Sequence, residues 1–148
     1  MTTPDFGVSY LRVPLAPTIA RVQTKRGVGL AFLSFLMGLD NYWVDKEKKQ
    51  ASVEGDFKVC GGMLSGHGND SFRGKVYDAL VENVSGFSLY TDYLDPTIIQ
   101  FIASRLEEYT FEAAQNNCNS ELSEEEFKDL QLMFRAHADA GHGLTSWY

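Results

Sequence analysis

Residues 51–86 read ASVEGDFKVCGGMLSGHGNDSFRGKVYDALVENVSG, and the spacing of apolar residues changes along them. In the first ten, Val53, Phe57 and Val59 hold odd positions with Glu54, Asp56 and Lys58 between, the two-residue period of a half-buried strand. A glycine-rich loop follows. Then Val76, Tyr77, Leu80, Val81 and Val84 form one stripe at helical spacing, and Gly86 is a fitting stop. Asp70 or Ser71 is the expected N-cap of that helix. A strand, a glycine loop and a helix in succession decide for a mixed fold.

On the N-terminal side, residues 37–45 contain Tyr42, Trp43 and Val44 and read as a short strand, followed by a charged turn, DKEKKQ, at 45–50. On the C-terminal side, Phe87, Leu89 and Tyr90 suggest a strand through about Leu94. Asp95-Pro96 then opens a helix, with Asp as N-cap and Pro where its missing N–H costs nothing. Ile98, Ile99, Ile102, Leu106, Tyr109 and Ala113 line one face of it, and the polar loop QNNCN at 115–119 ends it. Ser123 with Glu126 makes a capping box, and Phe127, Leu130, Met133, Phe134 and His137 carry the last stripe towards Gly141. The expected fold is α+β: a small, mostly antiparallel sheet of about three strands packed by three helices in a single domain.

The chain has 148 residues, enough for one domain with a real core. Its formal net charge is −7, unevenly distributed. Residues 1–36 hold four cations (Arg12, Arg21, Lys25, Arg26) against Asp5, whereas the remainder holds nine cations against nineteen anions. An acidic balance argues against nucleic acid as a partner, because affinity for phosphate backbones needs clustered Lys and Arg. The uncharged run GVGLAFLSFLMGL at 27–39 is too short for a membrane helix, so no membrane partner is expected. No A-x-A-like site follows it, and Cys60 and Cys118 form no CxxC pair, so the expected location is cytoplasmic with reduced thiols. Pro4, Pro14 and Pro17 interrupt residues 1–36, which show no sustained period. That segment is expected to be a basic extension, unstructured or spurious, before an α+β domain at 37–148.

The stretch CGGMLSGHGNDSFRGK at 60–75 holds the candidate chemistry. It fails the Walker pattern: five residues separate Gly68 from Gly74-Lys75, and Val76 stands where a hydroxyl should reach magnesium. Gly66, Gly68 and Ser71 give G-x-G-x-x-S, a weak dinucleotide match with no acidic residue at the end of a second strand. What remains is a glycine loop running into a helix N-terminus, where free N–H groups and the dipole favour an anion. Arg73 and Lys75 sit in the first turn, where cations are unfavourable unless an anion joins them. Ser65, His67, Asn69, Asp70, Ser71, Arg73 and Lys75 are therefore the candidate ligand-binding residues, although a loop of this kind also serves as a plain turn.

The three histidines raise a second possibility. His67, His137 and His142, with Asp70 and Asp139, are the residue types that bind zinc, iron or manganese. Their spacing matches no metal motif, and His137 continues an apolar stripe, so neither a metal nor any other cofactor is expected. The G-x-S-x-G elbow is absent, nothing marks Cys60 as activated, and GHGND shares only composition with the GNH[DE] segment of metallophosphoesterases. Most aromatics are expected in the core, but the terminal LTSWY must either dock or present an interface.

From Met37 onward, MGLDNYW, CGGMLSGHGNDSFRGKVYD, SGFSLY and DPTIIQFIASRLE resemble small phage and bacterial proteins with a MGLD-x-YW start. The resemblance covers residues 37 to about 110. It implies a functional start at Met37 and a phage or mobile origin, and it implies no activity. The functional expectation is a small acidic protein that binds an anionic small molecule or a host protein. The alternative is a metal- or phosphate-dependent hydrolase or nucleotide-processing enzyme using His67, Asp70, Ser71, Arg73 and Lys75.

Overall fold

A computed structural model describes residues 38–61, 67–118 and 121–147. Three helices carry the signals read above. Helix α1 (Gly74–Ser85) buries Tyr77, Leu80, Val81 and Val84 and stops at Gly86, which adopts the left-handed conformation a glycine takes without strain. Helix α2 (Pro96–Glu108) starts where Asp95 accepts a hydrogen bond from the Ile98 N–H, and buries Ile99, Ile102 and Leu106. A further helix, α3 (Phe111–Asn117), is a separate element. Tyr109 turns extended, and the Thr110 hydroxyl accepts from the Ala113 N–H to begin a new helix. The stripe expected to run through Ala113 is thus broken by a local cap. Helix α4 (Glu124–Asp139) buries Phe127, Leu130, Met133, Phe134 and His137 under a Ser123 cap.

The sheet is antiparallel throughout, and the described residues contain four strands rather than about three. Their order is β2 (Ser71–Phe72), β1 (Asp40–Val44), β4 (Gly143–Trp147), β3 (Tyr93–Leu94). Of the terminal LTSWY, residues 144–147 dock by pairing, and Tyr148 lies outside the described residues. They form most of β4, with Asp40 opposite Trp147 and Val44 opposite Gly143, and pair with β3 on their other side. Trp43 on the inner face meets Phe72, Phe134 and a stacked His137, and α2 packs against α4 to close the core.

Residues 51–60 do not form the expected strand. Phe57 and Val59 are buried on one side, which is what their alternation encodes. The backbone, however, bonds to loops and side chains: Val53 N–H to Asn69 O, Phe57 N–H to His67 O, Lys58 N–H to an Asp129 carboxylate oxygen. The strand expected over 87–94 shrinks to Tyr93–Leu94. The Asp78 carboxylate captures the Leu89 N–H and the Ser88 hydroxyl and bends the chain away from a ladder.

Candidate functional site

Ser65 lies outside the described residues. The other six candidate residues sit around a folded-in turn. Gly68, at φ +86°, is buried against Met133 and Val59, and its N–H donates to Ser71 O. Asn69 Oδ1 accepts from the Asp70 N–H, while the Asn69 and Asp70 carbonyls accept from Val53 and Trp43. Ser71 is fully buried in β2, its hydroxyl donating to Asp70 at 3.3 Å. His67 alone of the five described residues 67–71 is exposed.

Helix α1 begins at Gly74 with Arg73 as its N-cap, so neither Asp70 nor Ser71 caps it. The reason is packing. A Cβ on Gly74 would stand 1.6 Å from Oδ1 of the buried Asn41 side chain, so the first helical residue is a glycine pressed onto β1. No side chain caps this helix and no acid lies in its first turn. Arg73 Nη1 pairs at 3.1 Å with Asp40, whose side chain is 4% exposed, and the Lys75 N–H points at Leu39 O from 3.4 Å. The Arg73 partner was invisible in sequence because it lies 33 positions away.

Other polar groups beside the loop form a chain that sequence reasoning missed. The Cys60 N–H donates to the Tyr77 phenol at 2.6 Å, and that phenol donates to a Glu126 carboxylate oxygen. Glu126 is thereby drawn away from Ser123, so only the Ser123 half of the capping box forms. Burial and the Glu126 hydrogen bond push the Tyr77 phenol well above its ordinary range. Burial, helped by the Glu126 charge, also raises the Cys60 thiol, the reverse of what an activated nucleophile needs.

The histidines do not assemble around one point. His137, fully buried, contacts Gly68 O through Nε2 at 2.9 Å and His142 Nδ1 through its own Nδ1 at 2.8 Å. Desolvation lowers the His137 pKa to about 3. Asp139 pairs with Arg135 instead. Among the described residues, no group of three or more His, Cys, Asp or Glu side chains could hold a metal ion, and no helix is long and apolar enough to cross a membrane.

A separate surface feature lies where α1 ends and α2 begins. Phe87 and Phe101 meet edge to face at 6.1 Å and, with Thr97 and Ile98, line a groove of about 370 Å³. Comparison of the chain with protein-family models, with curated proteins and with solved structures found no match among any of them.

Proposed function

We propose that this protein acts by binding a partner protein rather than by turnover, and that the Phe87–Phe101 groove is its contact surface. The observation that carries this reading is the exposure of that ring pair: Phe87 is 36% and Phe101 46% exposed beside half-buried Ile98. Large exposed aromatics gathered in one groove are the usual anchors of protein interfaces. The acidic balance of residues 37–148, nine cations against nineteen anions, favours a partner with a basic rim. Turnover is less well supported at the loop, where Ser71 is inaccessible, the Cys60 thiol is raised and Arg73 is occupied by Asp40.

The test places a photo-reactive phenylalanine analogue at Phe101 in the full chain and irradiates it in a host extract. One saturable protein adduct is expected, suppressed by excess wild-type protein and not by a Phe87→Asp, Phe101→Asp competitor. An adduct suppressed equally by both competitors, or none at all, overturns the reading.

An anionic small molecule at residues 67–75 stands as the second reading, because the α1 N-terminus has no acid in its first turn, no capping side chain, and Lys75 beside an Arg73 that already pairs with Asp40. Its test is a thermal-shift screen with phosphate, nucleotides and divalent metals. A shift lost in Lys75→Ala supports it, and no shift with any of the three removes it.

A further inference from the structure

The stretch of chain that builds the aromatic groove carries charge of one sign. From Val76 to Ser104 there is no Lys, Arg or His, while Asp78, Glu82, Asp92 and Asp95 all fall within it. Glu82, Asp92 and Asp95 are exposed. This stretch supplies most of α1, the turn with Phe87, and the start of α2 with Thr97, Ile98 and Phe101. The groove is thus an apolar slot of about 370 Å³ within an acidic segment, and its complement is a run of apolar side chains beside basic ones.

The chain itself contains such a run. Residues 21–36, RVQTKRGVGLAFLSFL, hold Arg21, Lys25 and Arg26 and no acid. Their last ten positions are uncharged and include Leu30, Phe32, Leu33, Phe35 and Leu36. They lie outside the described residues and end two positions before Gly38, where the described chain begins. That beginning is close to the groove. Asn41 Nδ2 donates to Leu89 O at 3.3 Å, and Leu89 is two residues from Phe87. Leu36 precedes Asn41 by five residues, a tether of up to about 17 Å. A ligand on so short a tether meets its site at an effective concentration on the order of millimolar, so even a weak contact is populated.

We infer that residues 27–36 occupy the Phe87–Phe101 groove of their own chain, with Lys25 and Arg26 directed to the acids around it, and that a partner gains the groove by displacing them. The displacement rests on the groove being the contact surface proposed above; the occupancy does not.

The experiment irradiates the purified full chain, without extract, with the photo-reactive phenylalanine analogue at Phe101. The expected adduct has the mass of one chain, maps by peptide mass spectrometry to residues 27–36, and keeps its yield on dilution. With the analogue at Phe35 instead, the adduct should map to the peptides holding Phe87 or Phe101. In a Phe32→Asp, Phe35→Asp chain the Phe101 adduct to residues 27–36 should be lost. The yield of the host-protein adduct should then rise about tenfold, as when a competitor holds the groove in about nine molecules of ten. Adducts confined to residues 38–147 from both positions would overturn the occupancy, and so would an adduct of twice the chain mass, which would make a second copy the occupant. The two readings fail separately. An adduct to residues 27–36 with no host adduct in either chain would remove the partner and keep the occupancy. A host adduct of equal yield in both chains, with none to residues 27–36, would do the reverse.

Discussion

His137 is the residue whose burial has the clearest measurable consequence. Unfolded, it takes up a proton near pH 6.5, and folded, only near about 3. Below pH 6.5 the unfolded chain therefore binds more protons, and stability falls by up to about 1.4 kcal/mol per pH unit from this residue until pH 3. The lowered pKa of His142 acts in the same direction. In His137→Phe the ring against Trp43 is kept while Gly68 O loses its donor. Urea unfolding should show a less stable protein at pH 7.5 but a shallower decline between pH 6.5 and 4; an equal decline would show that other groups control the acid response. Gly74 and Arg73 make a second pair of expectations. Gly74→Ala forces a methyl into Oδ1 of the buried Asn41 side chain and should cost about 3 kcal/mol, in contrast to the gain usual for Ala within a helix. Arg73→Ala leaves a buried Asp40 carboxylate without this partner and, with Arg73 about one-third exposed, should cost about 2 kcal/mol in the same assay.

Elements were legible to the extent that their signals are local. Asp95, Ser123, Pro96 and Gly86 act within a few positions of themselves, and each occupies the terminus its type suggests. Removing a cap, by Asp95→Ala or Ser123→Ala, should lower stability by about 1 kcal/mol each in thermal unfolding, leaving the fold intact. Strand β4 is different. Its five residues hold one large aliphatic side chain, fully buried Leu144, and no sustained alternation. It is a strand because β1 and β3 flank it on both sides. Deleting residues 143–148 removes the central ladder and should abolish folding, seen as loss of amide dispersion in a ¹H–¹⁵N spectrum. A folded truncated chain would mean that the sheet tolerates the loss of its middle. The opposite error befell residues 51–60, where true alternation of burial accompanied a backbone whose bonds go to loops.

At the scale of the whole molecule, the described helices and four-stranded sheet share one core, and the Phe87–Phe101 groove, Val76, Leu132 and Trp147, the last 64% exposed, lie outside it. Phe101→Asp should cost about 1 kcal/mol, because the side chain is 46% exposed and gives up mainly its edge-to-face contact with Phe87. A larger loss in chemical denaturation would place the groove among the structural contacts instead. Of the loop read as a site, glycine content and proximity to a helix N-terminus were visible in the letters, since both depend on neighbouring positions. That Ser71 is buried, that Arg73 meets Asp40 and that His137 and His142 share a proton were not. Helix stripes and caps arise from interactions within four residues, so one dimension suffices to encode them. Strand partners, the burial of a polar loop and the tautomer of an imidazole depend on residues 5 to 105 positions away, and such contacts exist only after the chain has closed on itself.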